Sequence, residues 1–155
     1  MEETVPQRGK FEISWGVVPF LFVNFMALGA IWTGVTRTDI WLCVILFWSR
    51  MFFVTAGYHR YFAHRSFKTS RVMQFVFGFL GATGCQRGPL WWAGHHRNHH
   101  RHSDQPEDVH SPKHGLWWSH VGWLLTPRFT ATPTHRIKDM AKYPELRWLD
   151  RWFLL

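Results

Sequence analysis

Between Ile13 and Thr36 no residue carries a charge, an uninterrupted run of 24. A helix needs about 20 mostly apolar residues to cross the hydrocarbon core of a bilayer. The run contains Gly16, Pro19, Asn24 and Gly29, which membrane helices tolerate where neighbours re-satisfy the backbone. It is too long for the apolar part of a signal peptide and lacks that peptide's small-residue cleavage pattern. Residues 13–36 are therefore expected to form a spanning helix. Residues 1–12 are polar and expected to be frayed or cytoplasmic.

A short turn, Thr36-Arg37-Thr38-Asp39, follows, with Asp39 a candidate cap for the next helix. Residues 40–58 form a second apolar stretch, interrupted only by Arg50. So short a turn between two spans predicts an antiparallel hairpin with both outer ends on one side. Arg60, Arg65, Lys68 and Arg71 follow the second span, and Arg8 and Lys10 precede the first, so the positive-inside rule assigns both ends to the cytoplasm. Val72 to Gln86 is a third uncharged run, short for a span and suited to a buried or interfacial helix. Residues 59–155 read as one cytosolic or interfacial part, dense in histidine up to residue 114 and basic and aromatic in its tail. The fold class is all-α: a helical integral membrane protein with two spans in this chain and a cytosolic, histidine-rich helical cap. The formal charge of +8 raises the alternative of a nucleic-acid binder, whose basic residues form a patch on a soluble fold. The 24-residue run argues against it, and the positive excess serves topology instead. Cys43 and Cys85 are far apart and form no metal or redox motif.

Two histidine groups carry the chemistry. The first is His59 and His64, in HRYFAH. At about 100° per residue, positions five apart on an α-helix differ by about 140°. Both can face one site only if the helix bends or ends between them, or if they serve different metals. The second group is HHRNHHRH, His95 to His102. On an α-helix His96, His99 and His100 fall within an arc of about 100° and form a ligand face. His95 and His102 fall to one side, as groups that orient ligands by hydrogen bonds. Imidazoles without a nearby thiolate favour iron, copper, nickel or zinc over magnesium or calcium. Five exceed the four ligands of a structural zinc, and a two-metal site accommodates the surplus. The competing reading is a surface patch in which Arg97 and Arg101 stand beside the histidines.

At these residues the chain resembles a known family. TAGYHRYFAHRSFKTSR is similar to the first histidine box of the acyl-CoA (stearoyl-CoA-type) Δ9 desaturases. HRNHH, followed by HSDQPEDVHSP and GLWWSHVGWLL, is similar to their second box and its downstream signature. The resemblance covers about residues 14–127. It implies a four-span membrane fold with a cytosolic cap and two irons held by three histidine boxes, of which His59, His64, His96, His99 and His100 supply ligands here. It implies an O2-dependent oxidation that removes two hydrogens from an unactivated fatty acyl chain, fed by an electron donor such as cytochrome b5, ferredoxin or a reductase. Gln86 and Trp92 match residues that line the kink of the acyl tunnel. Such a kink selects the C–C bond by positioning.

The pattern also departs from the family. Gly94 and His95 stand where animal members carry an Arg-Asp pair that touches the CoA head group, which leaves the acyl carrier open between CoA and another. His110, His114, His120 and His135 do not make the third box, HxxHH. That box is expected beyond Leu155 after two further spans, and these 155 residues are expected to be an N-terminal portion inactive by itself. The rival functions are a related di-iron membrane hydroxylase and a non-enzymatic metal-binding membrane protein.

Overall fold

A computed structural model describes residues 17–105 and 107–153. Expectations for residues 1–16, which include the start of the first span, lie outside the described residues. All regular structure among the described residues is helical. The chain divides into two compact units, one comprising the residues up to Cys43 with His102–Thr130, the other Val44–Arg101 with Ala131–Leu155.

In the first unit, α1 (Val17–Met26) passes through a tight turn at Ala27–Gly29 into α2 (Ala30–Thr33). Gly34 then takes φ 74°, a left-handed conformation that glycine adopts without a Cβ penalty and that ends the helix. The next helix, α3 (Arg37–Phe52), is capped by Thr36. Its hydroxyl accepts from the Asp39 amide at 3.2 Å, while the Asp39 carboxylate accepts from the Thr36 amide at 2.8 Å. This is a reciprocal capping box, so Asp39 acts from the third helical position and Thr36 is the cap. Further along the same unit, residues 107–111 form a loop organised around buried Asp108. Its carboxylate accepts from the amides of Asp104 and His110, at 3.2 and 3.3 Å. The Trp118 indole donates to the Val109 carbonyl at 3.0 Å, tying α6 (Leu116–His120) to that loop.

The helix that begins at Arg37 continues to Ala63, 27 residues in all, and is long and apolar enough to cross a membrane. Over Arg37–Phe52 no residue is buried, and Trp41 and Trp48 are each 67% exposed. Leu21–Thr33 is a shorter apolar helix. From Phe53 to Ala63 the helix changes to the wider π form. Here it meets the core of the second unit. Tyr58 and Phe62 are fully buried, with Leu90, Ile137 and Leu146 around them.

Two helices pack on the π segment. The first, α4 (Arg71–Ala82), is capped by Ser70, whose hydroxyl accepts from the Met73 amide at 3.2 Å, and buries Gln74, Gly78 and Gly81. These positions share one face, and the helix ends at Ala82, short of the end of the uncharged run at Gln86. Gly81 is where the Tyr58 ring presses against the α4 backbone, and any Cβ would collide with it. The second, α5 (Pro89–Arg101), carries the second histidine group and starts with proline at its first position. Its free amides are covered from elsewhere in the chain: Asp150, on α8 (Pro144–Arg151), accepts from the Trp91 amide at 2.7 Å and from the Thr132 hydroxyl at 2.5 Å. An acidic group at a helix N-terminus is favourable. Burial pushes the Asp150 carboxyl up, and the Thr132 hydroxyl, the Trp91 and Leu90 amides and the Arg87 charge pull it back. The tail of the sequence thus folds onto the histidine helix rather than trailing from it, with α7 (Lys138–Ala141) adding buried Met140 to the core.

Candidate metal centre

His59 lies inside the π segment and His64 is the residue that ends it. The helix ends between the two, at Ala63, and it is its winding before that end that brings them together. It widens: the His64 amide donates to the His59 carbonyl at 3.0 Å. In a π-helix the hydrogen bond joins residues five apart, so His59 and His64 stack one turn above the other on the same face. Their Nε2 atoms are 3.0 Å apart.

The facing helix, α5, supplies His96 and His100, one α-turn apart. His96 Nε2 stands 3.3 Å from His64 Nε2 and 3.0 Å from His100 Nε2. The ligating nitrogens of His59, His64, His96 and His100 all lie within 4.8 Å of one another. Two elements thus aim four imidazoles at one point. His99 is not in that group; its ring centre is 5.6 Å from that of His100 and 6.3 Å from that of His96. His95 is buried, with its ring on Trp91 and Nε2 3.4 Å from the Ala131 carbonyl.

Burial, then the neighbouring imidazoles, push His96 down to about 3. His64 is lowered by burial first, then by His59, His100 and Arg97. Both are neutral at pH 7 and offer lone pairs, the state a metal requires of histidine. The donor set is all nitrogen, and the spacing of about 3 Å is what adjacent ligands of one ion adopt when each metal–nitrogen bond is about 2 Å. The residues fit a transition metal such as iron and do not suit the oxygen-seeking magnesium or calcium.

The second group holds a residue that its spacing alone does not single out. Arg97 lies about 100° around α5 from His96 and faces the end of the π-helix. Its guanidinium donates to the last carbonyls there, Phe62 at 2.6 Å and Ala63 at 3.0 Å, and to the Arg136 carbonyl at 3.2 Å. It also makes a two-point pair with Asp139, at 2.7 and 3.0 Å. The terminal carbonyls of a helix have no partner within it, and here the second histidine group supplies one for the first. The Asp139 carboxyl is held below its usual range: burial raises it, but the Arg97 bonds and the Arg97 and Arg65 charges outweigh that.

Gln86 and Trp92 meet beside this cluster. The Trp92 indole donates to the Gln86 side-chain oxygen at 3.0 Å, and its ring stacks on His96 at 4.5 Å between centres and 24° between planes.

Residues 36–155 match the fatty acid desaturase family. The chain belongs to that family. Among its relatives, the sn-1 stearoyl-lipid 9-desaturase of Anabaena variabilis is 34% identical, over 97% of this chain and 57% of the relative. The sn-2 palmitoyl-lipid 9-desaturase of Nostoc is 35% identical, over 97% of this chain and 55% of the relative. The acyl-CoA 5-desaturase AL21 of Anemone leveillei is 36% identical, over 67% of this chain and 33% of the relative. The chain spans little more than half the length of the first two. The family is one of membrane-associated oxidoreductases of lipid metabolism that generally use iron, and the donor set of the four histidines agrees with that metal.

Proposed function

We propose that the protein introduces a cis double bond, at the Δ9 position, into a fatty acyl chain, using O2 and two histidine-held irons. One observation carries the reading: in a desaturase-family chain, a 27-residue apolar helix ends where four imidazole nitrogens, from its own end and from α5, gather within 4.8 Å. A lipid-soluble chain and an oxidising metal are thereby brought together at one place. His59, His64, His96, His99 and His100 are the proposed ligands within these residues. The four gathered nitrogens match the needs of one ion. His99 is assigned to the second. Bound iron would supply the oxidising power: the two hydrogens removed, two electrons from the donor and two protons from solvent would together reduce O2 to two waters.

The protein's own residues orient the chain, and burial lowers the pKa of the His64 and His96 imidazoles. Gln86 and Trp92 are proposed to line the acyl path. The acyl carrier is a lipid or coenzyme A, as in the relatives' names, and electrons come from cytochrome b5, ferredoxin or a reductase. The proposed topology is multi-pass with a helical cap, the histidines at the cytoplasmic face, as the basic residues after Tyr58 suggest.

The test is metal analysis and product analysis on the whole protein purified in detergent, with an electron donor and a labelled 18-carbon acyl substrate. Near two irons per molecule and a 9-alkene are expected. An alcohol product would favour the hydroxylase reading. Bound metal without O2 consumption would favour a binding protein.

A further inference from the structure

The meeting of His59 and His64 depends on the winding of the π segment. A helix whose hydrogen bonds join residues five apart turns less per residue than an α-helix, and the form is rare. Wound as an α-helix, residues 59–64 would point the two imidazoles about 140° apart. Something must fix how far the chain turns here. Two tyrosine hydroxyls do so. Tyr58 donates to the Arg87 carbonyl at 2.9 Å. Tyr61, three residues on and between the two histidines, donates to the Gln74 side-chain oxygen on α4, also at 2.9 Å. Directional bonds from two side chains three residues apart set the rotation of the helix between them, whereas apolar contacts tolerate a slide. Gln74 is a costly residue for this task. It is 3% exposed, and its amide nitrogen is buried with no acceptor among the described residues. Tyr61 is buried too, its ring against Phe67 and Phe77 at 5.3 and 6.1 Å between centres, surroundings that phenylalanine would suit. Exchanging a buried hydrogen-bonded pair for apolar groups of the same shape is close to neutral, or stabilising, while an unmatched buried donor destabilises. Stability therefore does not explain the pair. A buried polar group can instead fix one arrangement among several.

We propose that the Gln74–Tyr61 hydrogen bond is a positioning contact: it holds the helix in its π winding and so keeps His59 and His64 on one face. Gln74 and Tyr61 act through the helix and not as ligands. The winding half of the proposal stands on the helix alone, and the metal half rests on the histidine reading above.

The experiment uses the whole protein in detergent, with cobalt(II) as the probe metal and three variants: Gln74→Leu, Tyr61→Phe and the two combined. Gln74→Leu and the combined variant remove the unmatched amide and are expected to unfold at or above the temperature of the unaltered protein. Tyr61→Phe strands both ends of the amide and is expected to unfold below it. Cobalt affinity is nevertheless expected to fall about tenfold in all three, as when a group that orients ligands is lost. The combined loss is expected to be no greater than either single one, because each variant removes the same bond. In metal-free protein, hydrogen exchange at the His64 amide, which donates to the His59 carbonyl, is expected to quicken about tenfold in each variant. A pair that only supports the fold predicts otherwise: affinity would follow the unfolding temperature, and the loss would be confined to Tyr61→Phe. That pattern overturns the proposal. So does unchanged His64 exchange in Gln74→Leu, whatever the affinity does, and so does unchanged affinity in a protein that binds cobalt. If the unaltered protein binds no cobalt, the metal reading fails by itself; quickened exchange at His64 then still upholds the winding role, and unchanged exchange ends it.

Discussion

Gln86 is held by a loop that bends against its own preferences. Its two neighbours, Cys85 and Arg87, have φ of 56° and 66°, a left-handed region that costs a residue with a side chain about 1 kcal/mol or more. That cost delivers one exposed amide to the Trp92 indole. Replacing Gln86 with leucine is expected to leave iron content unchanged and alter stability by less than about 1 kcal/mol. It should shift the position of the new double bond or the preferred chain length, read by mass spectrometry of the products. Unaltered products would remove Gln86 from the acyl path. A second residue-scale expectation concerns pH. Glu145 is drawn down to about 2 by its two-point bond to Arg71, at 2.6 and 2.9 Å. A carboxylate with a depressed folded pKa stabilises the fold above its unfolded value, near 4.5, and loses that contribution as pH falls from there toward 2. The Glu145 titration, followed by NMR of a carboxyl-labelled sample, is expected to return to the usual carboxylate range in Arg71→Gln. No movement would mean that the pair is not formed in solution.

Arg97 joins two elements that the sequence keeps more than thirty residues apart. Asp139→Asn and Arg97→Gln are each expected to cost about 2 kcal/mol, since either leaves polar partners half-buried and unmatched. Arg97→Lys is expected to recover little, because an ammonium cannot serve two carbonyls and a two-point carboxylate at once. Thermal unfolding gives the cost. The spectrum of a cobalt-substituted sample shows whether the histidines have moved, which loss of packing alone would not change. The helices and the ligand-bearing segments were legible in the sequence because uncharged runs and histidine spacing are local patterns. His96 and His100 could be read as neighbours because α5 is an ordinary α-helix. His59 and His64 could not, because nothing in HRYFAH announces a π-helix, and the arithmetic of an α-helix places them on different sides. His99 shares the arc of about 100° with His96 and His100 but stands outside the four-nitrogen group, because the π segment approaches the half of that arc that holds His96 and His100. Arg97 was legible only as a charge in a basic run. Its partners are carbonyls and a distant aspartate, which leave no mark on local spacing.

For the molecule as a whole, the apolar exterior of Arg37–Ala63 is the largest commitment. Leu46 lies within it and is exposed. In an insertion assay that scores the segment's partition into a bilayer, Leu46→Arg is expected to cost about 3 kcal/mol; a nearly neutral result would mean that the segment lies in water. The whole-molecule view also gives the last quarter of the chain a part in the metal site. The helix bearing His96 and His100 has its first turn capped by Asp150, 59 residues after Trp91, and its arginine secured by Asp139, 42 residues after Arg97. All four histidines precede both aspartates in the chain, so the two contacts that fix the helix bearing His96 and His100 close only across the full span from Trp91 to Asp150, and a loss in the last quarter reaches the imidazoles without touching one.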